Sequence, residues 1–487
     1  MEKLSLVSSN SISAESLLMT PSEEKDEILL KEKVLEYALD QRNLTLVAQL
    51  GKSEHGFIQS SLRAKCWYFL LKSQYKINSK EIKEVNSNES EIHMDENQVH
   101  LDTERSFTDI KEKRVKDVLK QVLQYIILKV LRKYPELHYY QGYHDVISVF
   151  VLVFVGNRIL TDEKISPSNI LDMDSNWIFS IITEEEEKYL FVSVEAFTLL
   201  YLRDFMMDSL DFSIDQLSII PRLVKTQDPI LYKKLRLDKV EPVFAISSIL
   251  TIFSHEIRPG PTDYSSDYLF EIFDLIISTQ NMKISLIMYA QLIIDNRNIF
   301  LKEYDENVIN FDNTVDLVHV IIQKVLVQAF LNDESWRNTL KKTRLSQYTW
   351  KIDVNQDLVN KYSVLLTTAS GTFKYIKSFS KDKVYWLLTK EVQINKQRNI
   401  ASAKKKDQLR NSKRPSWYHI YGISIFIGVV ATVMYILNEE NQLQLLTRSM
   451  DHDISRLLES HFNAYLTTAN HPLRKFLGAL LNIGPKS

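Results

Sequence analysis

Residues 110–146 read IKEKRVKDVLKQVLQYIILKVLRKYPELHYYQGYHDV, and the fold is decided within them. From Ile110 to Tyr134 apolar residues recur with a period near 3.6, the pattern of a helix with one buried face. The stretch from Leu137 to Asp145 breaks that pattern with tyrosine, histidine, glutamine and glycine. Gly142 is the only glycine between residues 57 and 155, and it allows a backbone turn or the close approach of a partner. A carboxamide both donates and accepts, so Gln141 has the chemistry to hold a water for in-line attack. Taken alone, a polar loop glutamine carries no such role.

Working outward, the same periodicity runs through Glu27–Leu50, Arg63–Gln74, Asn176–Asp208, Ser265–Gln280 and Asn313–Lys342. No alternating run bounded by turn signals competes with these segments, so the fold class expected for residues 26–390 is all-α. Residues 78–98 are polar and acidic and read as a loop inserted within that domain. Only 10 glycines and 11 prolines occur in 487 residues, which favours long helices with few tight turns. Neither GxxxxGK[ST] nor GxGxxG is present, so the chain does not cradle a nucleotide by that device. Sixty basic against 62 acidic residues give no reason to expect a nucleic-acid partner. The single cysteine, Cys66, excludes an internal disulfide and a Cys-rich metal site, and it suits a reducing compartment. Residues 1–25 are polar and Ser-rich and lack the apolar core of a secretory signal; they read as a disordered leader.

One segment differs from the rest. Trp417 to Leu437 carries no formal charge apart from His419, and its length corresponds to about 31 Å of helix, enough to cross a bilayer core. Tyrosines and a tryptophan mark its ends, as expected of interfacial aromatics. The preceding residues 391–416 read as a basic juxtamembrane linker, with seven basic residues against Asp407 alone from Arg398 onward. The positive-inside rule then places the large N-terminal part in the cytosol. In the tail, 438–487, Leu473, Phe476, Leu477, Leu480 and Leu481 follow the spacing of an amphipathic helix.

Three short patterns occur in order ahead of the span. Arg63-x-x-x-Trp67-x-x-Leu70 sets Trp67 and Leu70 one helical turn apart, a core-facing pattern, with Arg63 placed to brace a carboxylate. Val99-x-x-Asp102-x-x-Arg105 lets Asp102 hold the Arg105 guanidinium by a bidentate pair, pre-orienting a permanent cation. Tyr139-x-Gln141-Gly142 completes the set. In this order, inside an all-helical domain, the three resemble the motifs of the TBC-domain Rab GTPase-activating proteins. The run LHYYQGYHDV is most similar to the branch anchored in the endoplasmic reticulum by a C-terminal transmembrane helix. The resemblance covers about residues 40–310.

What the resemblance implies is specific. The family supplies two catalytic groups in trans to its GTPase, an arginine finger and a glutamine finger. Arg105 matches the first and Gln141 the second, with Asp102, Tyr139, Gly142, Arg63 and Trp67 as supporting positions. GTP and Mg²⁺ would then belong to the partner, a Rab-family GTPase, and the chain would need no cofactor of its own. The setting implied is early secretory traffic. The alternative is a membrane-anchored adaptor that binds a Rab without turnover. Two positions depart from the family pattern: Val99 replaces the commoner Ile, and Glu271 stands where Arg is usual ahead of Phe273-Asp274, which leaves the support of that helix open. Other constellations carry blander readings. His255-Glu256 fails as a zinc motif because Pro259 stands where the second His belongs. His138, His144 and Asp145 read as ordinary polar contacts, Cys66 as packed, and Glu184–Glu187 as a solvated helix face.

Overall fold

The helix expected between residues 110 and 134 forms as Lys113–Lys133, and its apolar stripe (Val115, Val118, Leu119, Val122, Leu123, Ile126, Ile127, Val130, Leu131) is buried along its whole length. Arg132 and Lys133 close its last turn, where cations complement the helix dipole. Both are also spent on carboxylates of neighbouring segments: Arg132 on Glu96 at 2.7 Å and Lys133 on Glu195 at 2.5 Å. This is a computed structural model, and it describes residues 21–76, 92–167, 177–257, 268–308, 314–350, 354–355, 357–371 and 376–411.

Helices follow one another through the chain, and among the described residues the sheet content is one parallel pairing of Tyr75–Lys76 with Phe379–Ser380. Several expected helices are divided. Glu27–Leu50 forms as Pro21–Asp40 and Leu44–Lys52, broken where Asn43 caps the second helix by accepting from Leu46 N at 3.1 Å. Asn313–Lys342 forms as Thr314–Phe330 and Asp333–Thr349, with Asn332 capping in the same way. Asn caps satisfy the open N–H groups of a first turn, which hydrophobic periodicity does not register. Asn176–Asp208 opens with a 3-10 turn, continues as the α-helix Glu184–Phe197, and ends in a π turn and a second 3-10 turn. Glu184–Glu187 proves to be more than a solvated face. Glu186 closes a capping box with Thr183, and Glu187 pairs with Lys129 at 2.8 Å.

The core is fastened by a long-range ion pair. The helix Ser60–Gln74 and the helix Tyr268–Thr279 meet where Arg63 Nε donates to Asp274 at 3.0 Å, with side chains 1% and 0% exposed. The same carboxylate accepts Trp67 Nε1 at 2.7 Å and Phe57 N at 2.9 Å. Burial pushes the Asp274 carboxyl up, and Arg63 and the two N–H donors oppose that shift. Gly56, at φ +50°, is needed here: a Cβ would stand 2.1 Å from Asp274 Oδ2. Glu271, the departure noted in the sequence, pairs with Arg344 at 2.5 Å, so the helix Asp333–Thr349 supplies the cation. Cys66 is buried beside this cluster, and burial raises its thiol well above the ordinary range.

The C-terminal boundary differs from the expected one. A helix runs from Lys381 to Asn411, through residue 390 and into the segment read as a linker. Glu391 pairs with fully buried Arg203 at 2.8 Å, Asn395 bonds Ser209, and Arg398 bonds Asp215 at 2.6 Å. Residues 391–399 are therefore part of the domain, held by polar contacts that a basic composition conceals. At the front of the expected insertion 78–98, residues 77–91 lie outside the described residues, while 96–98 begin the helix Glu96–Thr103. Among the described residues the stretch long and apolar enough to cross a membrane is Tyr143–Thr161, and its Val146, Ile147, Phe150 and Val151 are buried in the domain core. The leader up to residue 20, the span expected at 417–437 and the tail at 438–487 lie outside the described residues.

Removing one member of a buried pair strands the other charge. Asp274→Ala is expected to lower unfolding free energy by about 3–5 kcal/mol in urea denaturation. The exposed Lys302–Glu306 pair gives the contrast: Lys302→Ala should change it by less than about 0.5 kcal/mol.

Candidate active site

The helix Glu96–Thr103 is held against the chain that follows the 113–133 helix by a series of polar bonds. Glu96 accepts from Arg132, which pulls its carboxyl below the usual range, and also from His93 N at 2.8 Å. His93 Nε2 lies 3.1 Å from Leu137 O, and Asp95 Oδ2 accepts Tyr139 N at 2.9 Å. These contacts place Asp102, near the helix end, beside the side chain of Tyr139.

Asp102 is completely buried and every bond it makes is from a donor. Its Oδ1 accepts Arg105 Nη2 at 2.5 Å and Gln98 Nε2 at 3.0 Å, and its Oδ2 accepts the Tyr139 hydroxyl at 2.9 Å. The bidentate pair expected from the sequence does not form, because Tyr139 occupies the second oxygen. Arg105 instead directs Nε to Leu101 O at 3.3 Å. The result is a cation gripped at one edge while 67% of its side chain faces solvent. Burial, with the Asp102 carboxylate beside it, pushes the Tyr139 hydroxyl far up, so it remains a proton donor.

The glutamine segment is fixed by its tyrosines. Tyr139 reaches Asp102, Tyr140 donates to Leu250 O at 2.9 Å, and Tyr143 meets Thr198 Oγ1 at 2.6 Å. Between them Gly142 adopts φ +108° and starts the helix Tyr143–Val151. A Cβ at Gly142 would lie 2.7 Å from Thr251 Cγ2, so the turn read from the sequence is present, and the residue that approaches closely is one of the same chain. Gln141 is exposed, and no other described residue bonds its carboxamide.

The predicted residues thus fall into two groups. Arg105, Asp102, Tyr139, Gln141 and Gly142 belong to one continuous set of bonds and neighbours. Arg63 and Trp67 are fastened to Asp274 instead, and among the described residues no bond joins them to Asp102 or Arg105. They act at one remove: the Trp67 ring packs 4.9 Å from Phe150, on the helix that Gly142 starts. Sequence reasoning missed Asp95 and read His144 as an ordinary polar contact without placing it in the site. His144 Nδ1 lies 2.8 Å from the Tyr139 hydroxyl and its Nε2 3.4 Å from Asp145 Oδ1, while Asp145 Oδ2 lies 3.2 Å from His255 Nδ1. The signal available was the place of His144 two residues after Gly142, which says nothing of its partner. An exposed guanidinium anchored at one edge, with an unengaged carboxamide two residues from the tyrosine that shares its carboxylate, is suited to stabilising charge and positioning a water on a group brought by another molecule.

Residues 60–301 match the family model for the Rab-GTPase-TBC domain. The chain is 37% identical over 468 residues to the GTPase-activating protein GYP8 of Saccharomyces cerevisiae, across 92% of this chain and 90% of that protein. It is 26% identical over 303 residues to the GTPase-activating protein gyp10 of Schizosaccharomyces pombe, covering 62% and 69% of the two chains. Over 220 residues it is 24% identical to human TBC1 domain family member 20, covering 44% and 46%. Matched through all three motif segments, and sharing more than a third of its residues with GYP8 along nine-tenths of either chain, this polypeptide belongs to the Rab-GTPase-TBC domain family of Rab GTPase-activating proteins.

Proposed function

We propose that the chain stimulates GTP hydrolysis by a Rab-family GTPase of early secretory traffic, supplying Arg105 as an arginine finger and Gln141 as a glutamine finger. The observation that carries this reading is the Asp102–Tyr139 bond, which joins the segment of the exposed arginine to that of the exposed glutamine. In the proposed complex the guanidinium neutralises charge on the transferring phosphoryl group and the carboxamide orients the attacking water. Asp102 fixes the guanidinium edge before the partner arrives, so less freedom is lost at the moment of reaction. GTP, Mg²⁺ and the phosphate cradle come from the GTPase.

The membrane part of the proposal rests on the residues of 417–437 and their basic flank. In this reading the span anchors the chain in the endoplasmic reticulum or another early secretory membrane, with the catalytic domain cytosolic. Confining the chain and a lipidated GTPase to one surface raises their effective concentration without demanding high affinity.

Single-turnover phosphate release from a panel of GTP-loaded Rabs, with the full chain in detergent, tests the catalytic reading. Arg105→Ala is expected to lower the stimulated rate by about 10³–10⁵-fold, and Gln141→Ala by about 10²–10³-fold. Rab binding by the wild type with no rate enhancement would make the chain an adaptor instead. Gly142→Ala forces an alanine into φ +108° against Thr251, and should lose stimulation together with about 1–3 kcal/mol of stability. Adding Thr251→Ser, which removes the overlapping methyl, should restore part of both.

A further inference from the structure

His144 sits behind the arginine's anchor, and the bonds around it constrain where the protons lie. A phenol has one proton, and Tyr139 gives its own to Asp102 Oδ2 at 2.9 Å. Its second contact, His144 Nδ1 at 2.8 Å, is then satisfied only by a proton on that nitrogen. On the other side of the ring, Nε2 faces Asp145 Oδ1 at 3.4 Å, and an ionised carboxylate only accepts. A proton on Nδ1 therefore satisfies both hydrogen bonds of the phenol.

We propose that His144 is a positioning residue for Arg105: a proton on Nδ1, donated to the Tyr139 oxygen, keeps the Tyr139 hydroxyl turned toward Asp102. The inference rests on the GTPase-activating role proposed above. A neutral imidazole has a single N–H. On Nδ1 it serves the 2.8 Å contact with Tyr139; without that donor the phenol can turn its proton away from Asp102. The carboxylate then loses one of its donors, and the edge of the guanidinium it holds is no longer fixed. The groups that face His144 are Tyr139, Asp102 of the 96–103 helix with Oδ2 3.8 Å from Nδ1, and Asp145 on its own helix. Beyond Asp145 stand His255 and the half-buried Glu256, on the segment after the helix Ile246–Leu250.

The test is the rate of stimulated hydrolysis by the full chain, with the intrinsic rate of the Rab subtracted. In His144→Leu the donor to Tyr139 is absent, so kcat should be about tenfold down, the worth of one hydrogen bond, while KM for the GTP-loaded Rab stays constant. His144→Asn places an amide N–H where Nδ1 stood and should keep the wild-type kcat. Urea midpoints for both variants establish that they fold. Wild-type kcat in folded His144→Leu would overturn the proposal. So would a folded His144→Asn as slow as His144→Leu, or a loss that falls on KM alone. The two levels separate cleanly: an inactive Arg105→Ala beside an unaffected His144→Leu removes only the histidine's role, whereas a fully active Arg105→Ala removes the functional reading beneath it.

Discussion

The hydrogen bond from the Tyr139 hydroxyl to the buried Asp102 carboxylate is the joint on which the site depends. Asp102 has no access to water, so each of its bonds must come from the protein, and they come from three places: Gln98 on its own helix, Arg105 one turn on, and Tyr139 from the far side of the 113–133 helix. A buried carboxylate that loses a donor suffers the full cost of its own desolvation. The arginine segment and the glutamine segment are therefore coupled, because neither can move without leaving that carboxylate short of a partner. The coupling also explains a guanidinium that is both ordered and exposed. One edge is committed inward, and the remainder faces outward.

A second buried carboxylate, Asp274, does the corresponding work for the scaffold. It ties the 60–74 helix to the 268–279 helix through Arg63, Trp67 and Phe57. Trp67 then packs against both Phe150 and Phe273, with centroids 4.9 Å and 5.8 Å away. Phe150 lies on the helix that Gly142 begins, so the scaffold cluster supports the glutamine loop from beneath while remaining apart from the chemistry. The two carboxylates share a type of environment and differ in what they hold. One pins a buried arginine that never meets solvent; the other presents one to it.

The helical class and the motif segments were legible because both are local. Val115 to Leu131 repeat at helical spacing, and Gly142 is isolated enough to announce a special backbone, which its φ of +108° bears out. Helix ends were less legible, since Asn43 and Asn332 break continuous apolar patterns through side-chain caps that periodicity does not sense. Pairings across the chain were not legible at all. Arg63 could be seen to want a carboxylate, but Asp274 lies 211 residues away. Glu271 found its cation in Arg344, and Glu391, Asn395 and Arg398 bound residues 391–399 to the domain although their neighbourhood reads as a basic linker. The single contact between Arg105 and Asp102, where a bidentate one was expected, follows from Tyr139 competing for the second oxygen, a fact of folding rather than of spacing.

The most direct measurement is a structure of the full chain bound to a Rab carrying GDP, Mg²⁺ and a metal-fluoride mimic of the transferring phosphoryl group. The account requires the Arg105 guanidinium and the Gln141 carboxamide to lie within hydrogen-bonding distance of that mimic and of the water in line with it, with Asp102 still gripping the arginine. A complex in which either side chain points away from the mimic, or in which the Rab's own glutamine occupies the place assigned to Gln141, would contradict it.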